Sequence, residues 1–526
     1  MKYIPYIFFT VFLLLGLAIT PDYGISTDET VQLRHSQVSI DYAAQKLGLD
    51  WEPFLPTYDL ETYGSRAYSM LYGMICTGVA EGLGVERTNF RGQYLVRHYT
   101  AFLLFWLAVV AFYGTAKMRF GCWEYSTLAT LFLVLNPRIF ANAFYNPKDT
   151  IVLDFYVYAT FTLFLFLRKR NWWTLLLHAL ATGALLNTRL PAMILPLMTI
   201  LLLAVEVIQK RRYWQKNLLQ VGAYLSVSFL VFVVLFPYLW EDTFTRIVEI
   251  YQRMAKFEWD SHNLIFGEFI LGTETPAWYI PAWIMVTLPL SILTLVLIGI
   301  VVVGARSIQY LLRGRFWTNL EEQFDLTQLG LALGPILAVI VLGSNLYNGW
   351  RHLYFVYPGF AFLAVMTWDK LWQLKGTRWQ SIMATLLAVN LGMVLLFMIQ
   401  FHPHQQVYFN IIAGTDLTRN YDMDYWGLSY QQAFRQLHDK IPDGEQVIVR
   451  CANGVCKHNF EMLPEKYRTK MRMRQSGELG DYFLSNFRRP ELHGPFFARE
   501  HPYDLPYFYL RVRGEPIVGV FKMSRP

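Results

Sequence analysis

Charged residues are scarce in this chain: only 16% of its 526 residues are charged, whereas 54% are hydrophobic and 17% are aromatic. A soluble protein of this size carries about a quarter of its residues as charges. The shortage excludes an ordinary soluble protein and favours one embedded in lipid. The net charge of +7 is the Lys and Arg bias expected of cytoplasmic loops, so it does not indicate nucleic-acid binding.

Cysteine is also scarce, and four residues are too few for a disulfide scaffold. Cys451 and Cys456 are close enough to pair in an oxidising compartment. Because no second pair has zinc-site spacing, a disulfide is favoured over a metal site. The sequence lacks a P-loop and a convincing GxGxxG pattern, so it has no nucleotide-binding fingerprint. No internal repeat is visible by eye.

Long apolar runs are what the chain has in abundance, and runs of about 17–24 residues match the thickness of a bilayer. We predict an α-helical polytopic membrane protein with about eleven transmembrane helices, outer-face juxtamembrane helices and a small C-terminal α/β domain. The first run lacks a small-residue cleavage site and is predicted to be retained. The predicted spans are 3–20, 96–116, 121–138, 150–167, 172–188, 191–208, 217–238, 280–304, 328–343, 353–368 and 380–400.

Lys and Arg gather in alternate short connections, which the positive-inside rule assigns to the cytoplasm. With eleven spans, the N-terminus lies inside and the C-terminal end outside, in a multi-pass protein of the inner (plasma) membrane. The basic connections contain Lys117 and Arg119, Arg168 to Arg170, Lys210 to Arg212, Arg313 and Arg315, and Lys370 and Lys375.

Composition divides the chain near residue 400. Residues 1–400 are predicted to form the transmembrane domain, with a first outer loop at about 21–95. Residues 401–526 are polar and contain no further span, so we predict an extracytoplasmic α/β domain there. Its predicted elements are a helix over Tyr430 to Lys440, a strand over Gln446 to Arg450 and a hairpin over Tyr507 to Lys522.

Two carboxylates follow the first span. The pattern Ser26-x-x-Glu29 matches a capping box, in which Glu29 closes the N-terminus of a helix predicted to extend to Leu47. Solvated loop carboxylates are common, so this pattern is also typical of a purely structural role. Because capping gives Glu29 another task, Asp28 is the better candidate for a reactive carboxylate.

The second polar stretch is Asn146-Pro147-Lys148-Asp149. Asn is a favoured N-cap, Pro a favoured first helical residue, and Asp suits the first turn. Lys148 does not fit this structural account, because it adds a cation where the helix dipole is already positive. A bound anion would offset that placement, since free N–H groups at a helix start bind phosphate.

Further cations are predicted on the outer side: Arg138, Arg189 and Arg351, with His352 beside the last. The structural alternative is snorkelling toward lipid headgroups. Positive charge is disfavoured in short outer loops, so its recurrence favours an anion site. The nearby aromatics are predicted to form an interfacial belt, with sugar stacking as the alternative; they are Tyr238, Trp240, Trp278, Tyr279, Tyr354 and Tyr357.

As a set, these stretches resemble the C-type glycosyltransferase superfamily, and within it the bacterial family 39 (protein mannosyltransferase-like and aminoarabinose transferase-like) membrane glycosyltransferases. The resemblance covers nearly the whole chain. The residues that carry it are Asp28-Glu29, Asn146 to Asp149, Trp278-Tyr279, Gly349 to Leu353, and Tyr425 to Gly427 with the terminal hairpin.

The resemblance implies transfer of a hexosyl or pentosyl group from a polyprenyl-phosphate donor to an acceptor hydroxyl on the extracytoplasmic face, with inversion. It implies that Asp28 is the catalytic carboxylate and Asp149 a second catalytic acid. The implied substrate-binding residues are Lys148, Arg189 and Arg351, near the donor phosphate, with Glu29 and His352 beside them.

The sugar and the acceptor are open: protein hydroxyl, lipid and envelope glycan all fit, although the missing β-trefoil insertion weighs against a protein. No cofactor is predicted, but a divalent ion held by Asp28 and Asp149 is an open alternative. The main rival function is a transporter of a small or lipid-linked substrate. A structural scaffold and a lipid-phosphate hydrolase are further alternatives. Charges at one interface, without evident paired broken helices, favour the transferase.

Overall fold

The structure, a computed structural model, describes residues 3–53, 58–68, 70–210, 214–255, 259–374 and 376–523. Three of the basic residues assigned above to cytoplasmic connections, Arg211, Arg212 and Lys375, lie outside these ranges. The described chain is mostly α-helical. One small sheet lies between the helices Thr243–Ala255 and Tyr279–Thr287, and the other lies in the C-terminal region.

The helices up to the last apolar one are α1 (Ile4–Ile19), α2 (Thr27–Leu47), α3 (Leu71–Gly82), α4 (Phe90–Phe120), α5 (Trp123–Val134), α6 (Pro137–Tyr145), α7 (Asp149–Lys169), α8 (Trp172–Leu186), α9 (Ile194–Lys210), α10 (Trp214–Val234), α11 (Thr243–Ala255), α12 (Tyr279–Thr287), α13 (Leu290–Leu312), α14 (Leu320–Val341), α15 (Tyr357–Trp372) and α16 (Thr377–Gln400). The C-terminal region adds α17 (Leu417–Asn420), α18 (Ser429–Lys440), α19 (Gly454–Glu461) and α20 (Pro490–Ala498).

Seven of the described helices are long and apolar enough to cross a membrane, and the count is eight if the bent pair α5 and α6 forms one span. The chain is therefore a multi-pass α-helical membrane protein. Helices α8 and α9 are apolar but shorter. The figure of eleven spans stays a prediction.

Two predicted spans are broken at prolines. The span predicted over 121–138 is the pair α5 and α6, whose axes differ by 70°. The new helix starts at Pro137, and the Asn136 side chain caps it by accepting a hydrogen bond from the Ile139 N–H at 3.2 Å. The span predicted over 280–304 is likewise divided into α12 and α13. Leu288 is extended there because it precedes Pro289, and a residue before proline is disfavoured in a helix.

The described strands are β1 (His262–Ile265), β2 (Glu268–Leu271), β3 (Val447–Cys451), β4 (Met471–Met473), β5 (Tyr482–Ser485), β6 (Pro506–Val512) and β7 (Glu515–Lys522). The C-terminal region contains a five-stranded mixed sheet in the order β4-β3-β5-β7-β6. This confirms the predicted helix, strand and hairpin to within about two residues, and Cys451 and Cys456 are joined by a disulfide. A second, two-stranded sheet, β1 with β2, lies before α12 and was not predicted.

The segment after α16 packs directly against the apolar helices. Arg138 donates from Nε to the Tyr408 carbonyl at 2.8 Å, and its guanidinium lies 4.5 Å from the Phe409 ring centroid. Arg138 is buried, so snorkelling is the wrong interpretation for it. The interfacial belt is also wrong for all four of the predicted tyrosines, which are buried: Tyr238, Tyr279, Tyr354 and Tyr357.

Candidate active site

Five charged side chains from four parts of the chain meet at one point, which we name the charge cluster. Asp28 lies on the first turn of α2, and Asp149 is the first residue of α7 with Lys148 as its N-cap. Arg189 follows α8, and Arg351 opens a short 3-10 helix, Arg351–Val356, that leads into α15. Short-range sequence patterns place each residue at a helix end, and the packing of the helices brings those ends together.

Asp149 holds two arginines. Arg189 Nη1 donates to its Oδ1 at 2.6 Å, and Arg351 Nη1 donates to its Oδ2 at 2.8 Å. The Asn146 amide also donates to Oδ2, at 3.1 Å. The carboxylate is fully buried (0% exposed) and both oxygens are engaged, which favours a role in fixing the arginines. The assignment of Asp149 as a second catalytic acid stays a prediction.

The start of α7 differs from the prediction. The helix begins at Asp149, so Pro147 is not its first residue, and Lys148 rather than Asn146 is the N-cap. Asn146 nevertheless performs the predicted chemistry, since its Oδ1 accepts hydrogen bonds from the N–H groups of Lys148 and Asp149 at 3.0 and 2.8 Å. The Lys148 ammonium is thereby held at the positive end of α7.

Asp28 is the more accessible carboxylate of the cluster, with 20% of its side chain exposed. Its Oδ2 lies 3.2 Å from Arg351 Nη1 and 3.7 Å from Lys148 Nζ. Burial alone would raise the pKa of Asp28, but the positive charges of Lys148 and Arg351 outweigh it and lower the pKa below its usual value. The side chain is therefore ionised at neutral pH.

The cluster has three cations and two carboxylates, a net charge of +1. Arg351 is only 2% exposed, so it does not snorkel. Burial lowers the pKa of Lys148, and the neighbouring arginines lower it further, although Asp28 opposes them. An anion bound here would offset the excess positive charge.

A small, open cleft lies beside the cluster. Lys148 and Arg189 are its charged lining residues, and the rest of its wall is polar, aromatic or apolar. The other lining residues are Gln32, Tyr68, Tyr72, Pro147, Ile151, Asn187 and Thr188. This combination suits a small polar ligand that carries a negative charge.

The two remaining predicted site residues lie beside the cluster. His352 packs edge-on against the Tyr347 ring at 4.3 Å. Burial and the positive charges of Arg351 and Arg189 hold the pKa of His352 well below its usual value, so it is neutral.

Glu29 is 2% exposed, and both of its oxygens are occupied. One accepts from the Ser26 N–H at 2.6 Å, and the other lies 2.7 Å from His98 Nε2. The first contact is the helix-capping bond predicted from the sequence. This geometry favours a structural task for Glu29, and its assignment to substrate binding stays a prediction.

Sequence reasoning missed the aromatic rings around the cations. The Arg351 guanidinium lies 4.6 Å from the Trp426 ring centroid and 4.9 Å from that of Tyr347, and Lys148 lies 4.9 Å from that of Tyr68. No spacing rule links Trp426 to a residue 75 positions earlier. The stretch Tyr425 to Gly427 carries part of the family resemblance, but nothing in it assigns Trp426 a place beside Arg351.

Arg351 also bears on the question of a metal. Its Nη1 lies between the two carboxylates, 3.2 Å from Asp28 and 2.8 Å from Asp149, where a shared divalent ion would have to bind. Across the ranges that the structure describes, no group of three or more His, Cys, Asp or Glu residues is placed to hold a metal ion. Metal-independent chemistry stays a prediction.

No protein-family model matches this chain. No curated protein matches it either. Among solved structures, it is similar to the crystal structure of ArnT from Cupriavidus metallidurans bound to undecaprenyl phosphate. The sequence identity is 11% and the TM-score 0.44, and the alignment covers 100% of this chain and 99% of that one. At this identity no residue role is carried over.

Proposed function

We propose that this protein is a membrane glycosyltransferase of the C type. It transfers a sugar from a polyprenyl-phosphate donor to an acceptor hydroxyl on the extracytoplasmic face, with inversion at the anomeric carbon. The observation that supports this most is the charge cluster: a net positive site beside a cleft, with one accessible carboxylate, in a multi-pass membrane protein.

The cations serve the donor phosphate. Lys148 and Arg189 line the cleft, and together with Arg351 beside them they bind the phosphate oxygens, assisted by the N-terminus of α7. Negative charge grows on the phosphate as its bond to the sugar breaks. Fixed positive charge therefore stabilises the transition state more than the bound donor. The polyprenyl chain lies along the apolar helices.

Asp28 serves the acceptor. Its carboxylate takes the proton of the acceptor hydroxyl while that oxygen forms the new bond to the anomeric carbon and the phosphate leaves with the old bonding electrons. Before a donor binds, Lys148 and Arg351 make Asp28 a weak base. A phosphate bound to those cations neutralises them, which raises the basicity of Asp28 when the donor is in place.

A binding experiment tests the donor assignment. We expect Lys148→Ala and Arg189→Ala each to weaken binding of a polyprenyl phosphate in detergent by about 10–150-fold, the worth of one charge-assisted hydrogen bond. Lys46→Ala is the matched control, because Lys46 is a partly exposed cation on α2 that pairs with Glu241 away from the cleft. Wild-type affinity in both cluster variants would overturn the proposal.

The sugar and acceptor require a separate measurement. Mass spectrometry of envelope lipids and glycans from cells with and without the protein should show a glycan that gains one sugar only when the protein is present. The same comparison with Asp28→Asn should match the cells that lack the protein. Identical spectra from all three would argue against transfer.

One observation favours a second candidate, a proton-coupled transporter. Asp154 of α7 is buried, and neither of its carboxylate oxygens has a hydrogen-bond partner among the described residues; ionisable groups inside spans often serve ion pathways. However, a helix rises about 1.5 Å per residue, so Asp154 lies only about 7.5 Å along the axis of α7 from Asp149. This places Asp154 at the end of α7 that carries the charge cluster and not at the midplane of the membrane. Uptake into proteoliposomes that Asp154→Asn abolishes would favour the transporter.

A further inference from the structure

We propose that Trp426 is a positioning residue that holds the guanidinium of Arg351 in its phosphate-binding orientation, so that the chain beyond the last apolar helix completes the site. The indole ring centroid lies 4.6 Å from the guanidinium carbon, and Trp426 is fully buried. This inference rests on the proposed function, in which Arg351 acts at the donor phosphate.

The indole is held by the network that holds Asp149. Trp426 Nε1 donates to Asn142 Oδ1 at 3.2 Å, and the same oxygen accepts from Asn146 Nδ2 at 2.8 Å. The Asn146 amide also donates to Asp149, the main ion-pair partner of Arg351. One set of amides therefore fixes both the ring beside the guanidinium and the carboxylate that binds it.

Trp426 is also tied to the base. Its carbonyl accepts a hydrogen bond from Thr27 Oγ1 at 3.3 Å, and Thr27 directly precedes Asp28. On its other side, Gly427 has a φ of +77°, and a Cβ there would lie 2.6 Å from Val455 Cγ1. Only glycine fits this turn without strain, so the position of the indole is set by close packing against α19.

The C-terminal region fixes both chain segments that meet at Arg351. Arg488 donates to the Tyr425 carbonyl at 3.2 Å and to Asn348 Oδ1 at 2.8 Å. Tyr425 precedes Trp426, and Asn348, with a left-handed φ of 57°, lies three residues before Arg351. This double contact joins the two segments through one side chain.

The ring faces add to what the hydrogen bonds of the guanidinium provide. Both ion pairs of Arg351 use Nη1, and its buried Nε has no hydrogen-bond partner among the residues that the structure describes. Those ion pairs therefore hold the guanidinium at one of its nitrogens. The ring faces of Trp426 and Tyr347 support the rest of the group, and cation–π attraction strengthens where water is excluded.

Substitutions that separate the ring face from its volume test the proposal. We expect Trp426→Leu to raise the dissociation constant for a polyprenyl phosphate about 5–30-fold, the range for loss of a desolvated cation–π contact. Trp426→Phe keeps a ring face and should stay within about threefold of wild type. The control is Trp368→Leu in α15, a buried tryptophan 17 residues beyond Arg351, which should lower thermal stability without changing this affinity.

A double-mutant cycle distinguishes this inference from the proposed function. If Trp426 acts through Arg351, adding Trp426→Leu to Arg351→Ala should weaken phosphate binding by less than about twofold. Full additivity, or equal affinities for Trp426→Leu and wild type, would overturn the positioning role while leaving the donor site intact. Wild-type phosphate affinity in Arg351→Ala would instead overturn the proposed role of Arg351.

Discussion

Replacing Asp28 with asparagine separates proton transfer from donor binding. The substitution keeps the shape of the side chain and removes its charge, so the net charge of the cluster rises from +1 to +2. Turnover should fall by about 10²–10⁴-fold, the usual worth of general base catalysis. Donor binding should not weaken, because Lys148 and Arg351 lose a competitor for the phosphate.

The size of the binding effect follows from the geometry. Asp28 Oδ2 lies 3.2 Å from Arg351 Nη1 and 3.7 Å from Lys148 Nζ. At such separations unit charges near a protein surface attract by about 4 kcal/mol before solvation is counted. Because Asp28 is 20% exposed, solvation of the released cations offsets most of this attraction. We therefore expect polyprenyl-phosphate binding that is unchanged or up to about tenfold tighter.

Single-turnover transfer and equilibrium binding of the lipid phosphate should be measured on the same preparation. Asp41→Asn is the matched control, because Asp41 lies on α2 and its carboxylate accepts from Gln45, outside the cluster. Wild-type turnover in Asp28→Asn would remove this carboxylate from the chemistry. Weaker phosphate binding in Asp28→Asn would contradict the view that the carboxylate competes with the donor.

Three further predictions concern binding, pH and topology. Arg351→Ala should weaken donor use about 10–150-fold. It should also lower the melting temperature, because the buried Asp149 keeps Arg189 but loses the second of its two arginine partners. Arg351→Lys should rescue both effects in part, and binding and melting assays check them. Burial and the charge of Lys148 lower the pKa of His35 to about 3. The stability contributed by neutral His35 is therefore full above about pH 6.5 and is lost as the pH falls toward the pKa of the folded state. A pH series of melting temperatures should fall less steeply over this range for His35→Gln than for wild type. A reporter that works only in the cytoplasm should be silent when fused to the C-terminal end, and a signal from it would reverse the proposed orientation.

The sequence was sufficient wherever the determining interactions are local. The cap that Glu29 forms at the start of α2, and the C-terminal hairpin, follow from residues a few positions apart. The breaks before α6 and α13 have local causes as well, since Pro137 and Pro289 stand at them. Neither break was predicted, because each proline lies within a long apolar run. Helix α3 was not predicted because it lies in a long loop and its apolar run is too short to span a bilayer.

The burial of the arginines could not be predicted in the same way. Arg138 and Arg351 stand at helix ends, where sequence alone makes snorkelling equally reasonable. Their partners are remote: the carbonyl of Tyr408 is 270 positions from Arg138, and Trp426 is 75 positions from Arg351. The charge cluster itself was predicted as a set of residues, but its internal pairing, with Asp149 buried and Asp28 accessible, depends on how four helix ends pack.

The contact between Arg138 and the Tyr408 carbonyl has a consequence for biosynthesis. At about 5–20 residues per second, the ribosome needs roughly 15 to 50 s to add the 270 residues between them. During that interval α6 is already made, and its arginine has neither the carbonyl nor the Phe409 ring that later covers it. The nascent protein must keep that charge in contact with water, headgroups or the insertion machinery until the last apolar helix has emerged. In a chain that ends before residue 408, Arg138 would never be covered. Such a chain would be exposed to quality-control proteases with this arginine uncovered.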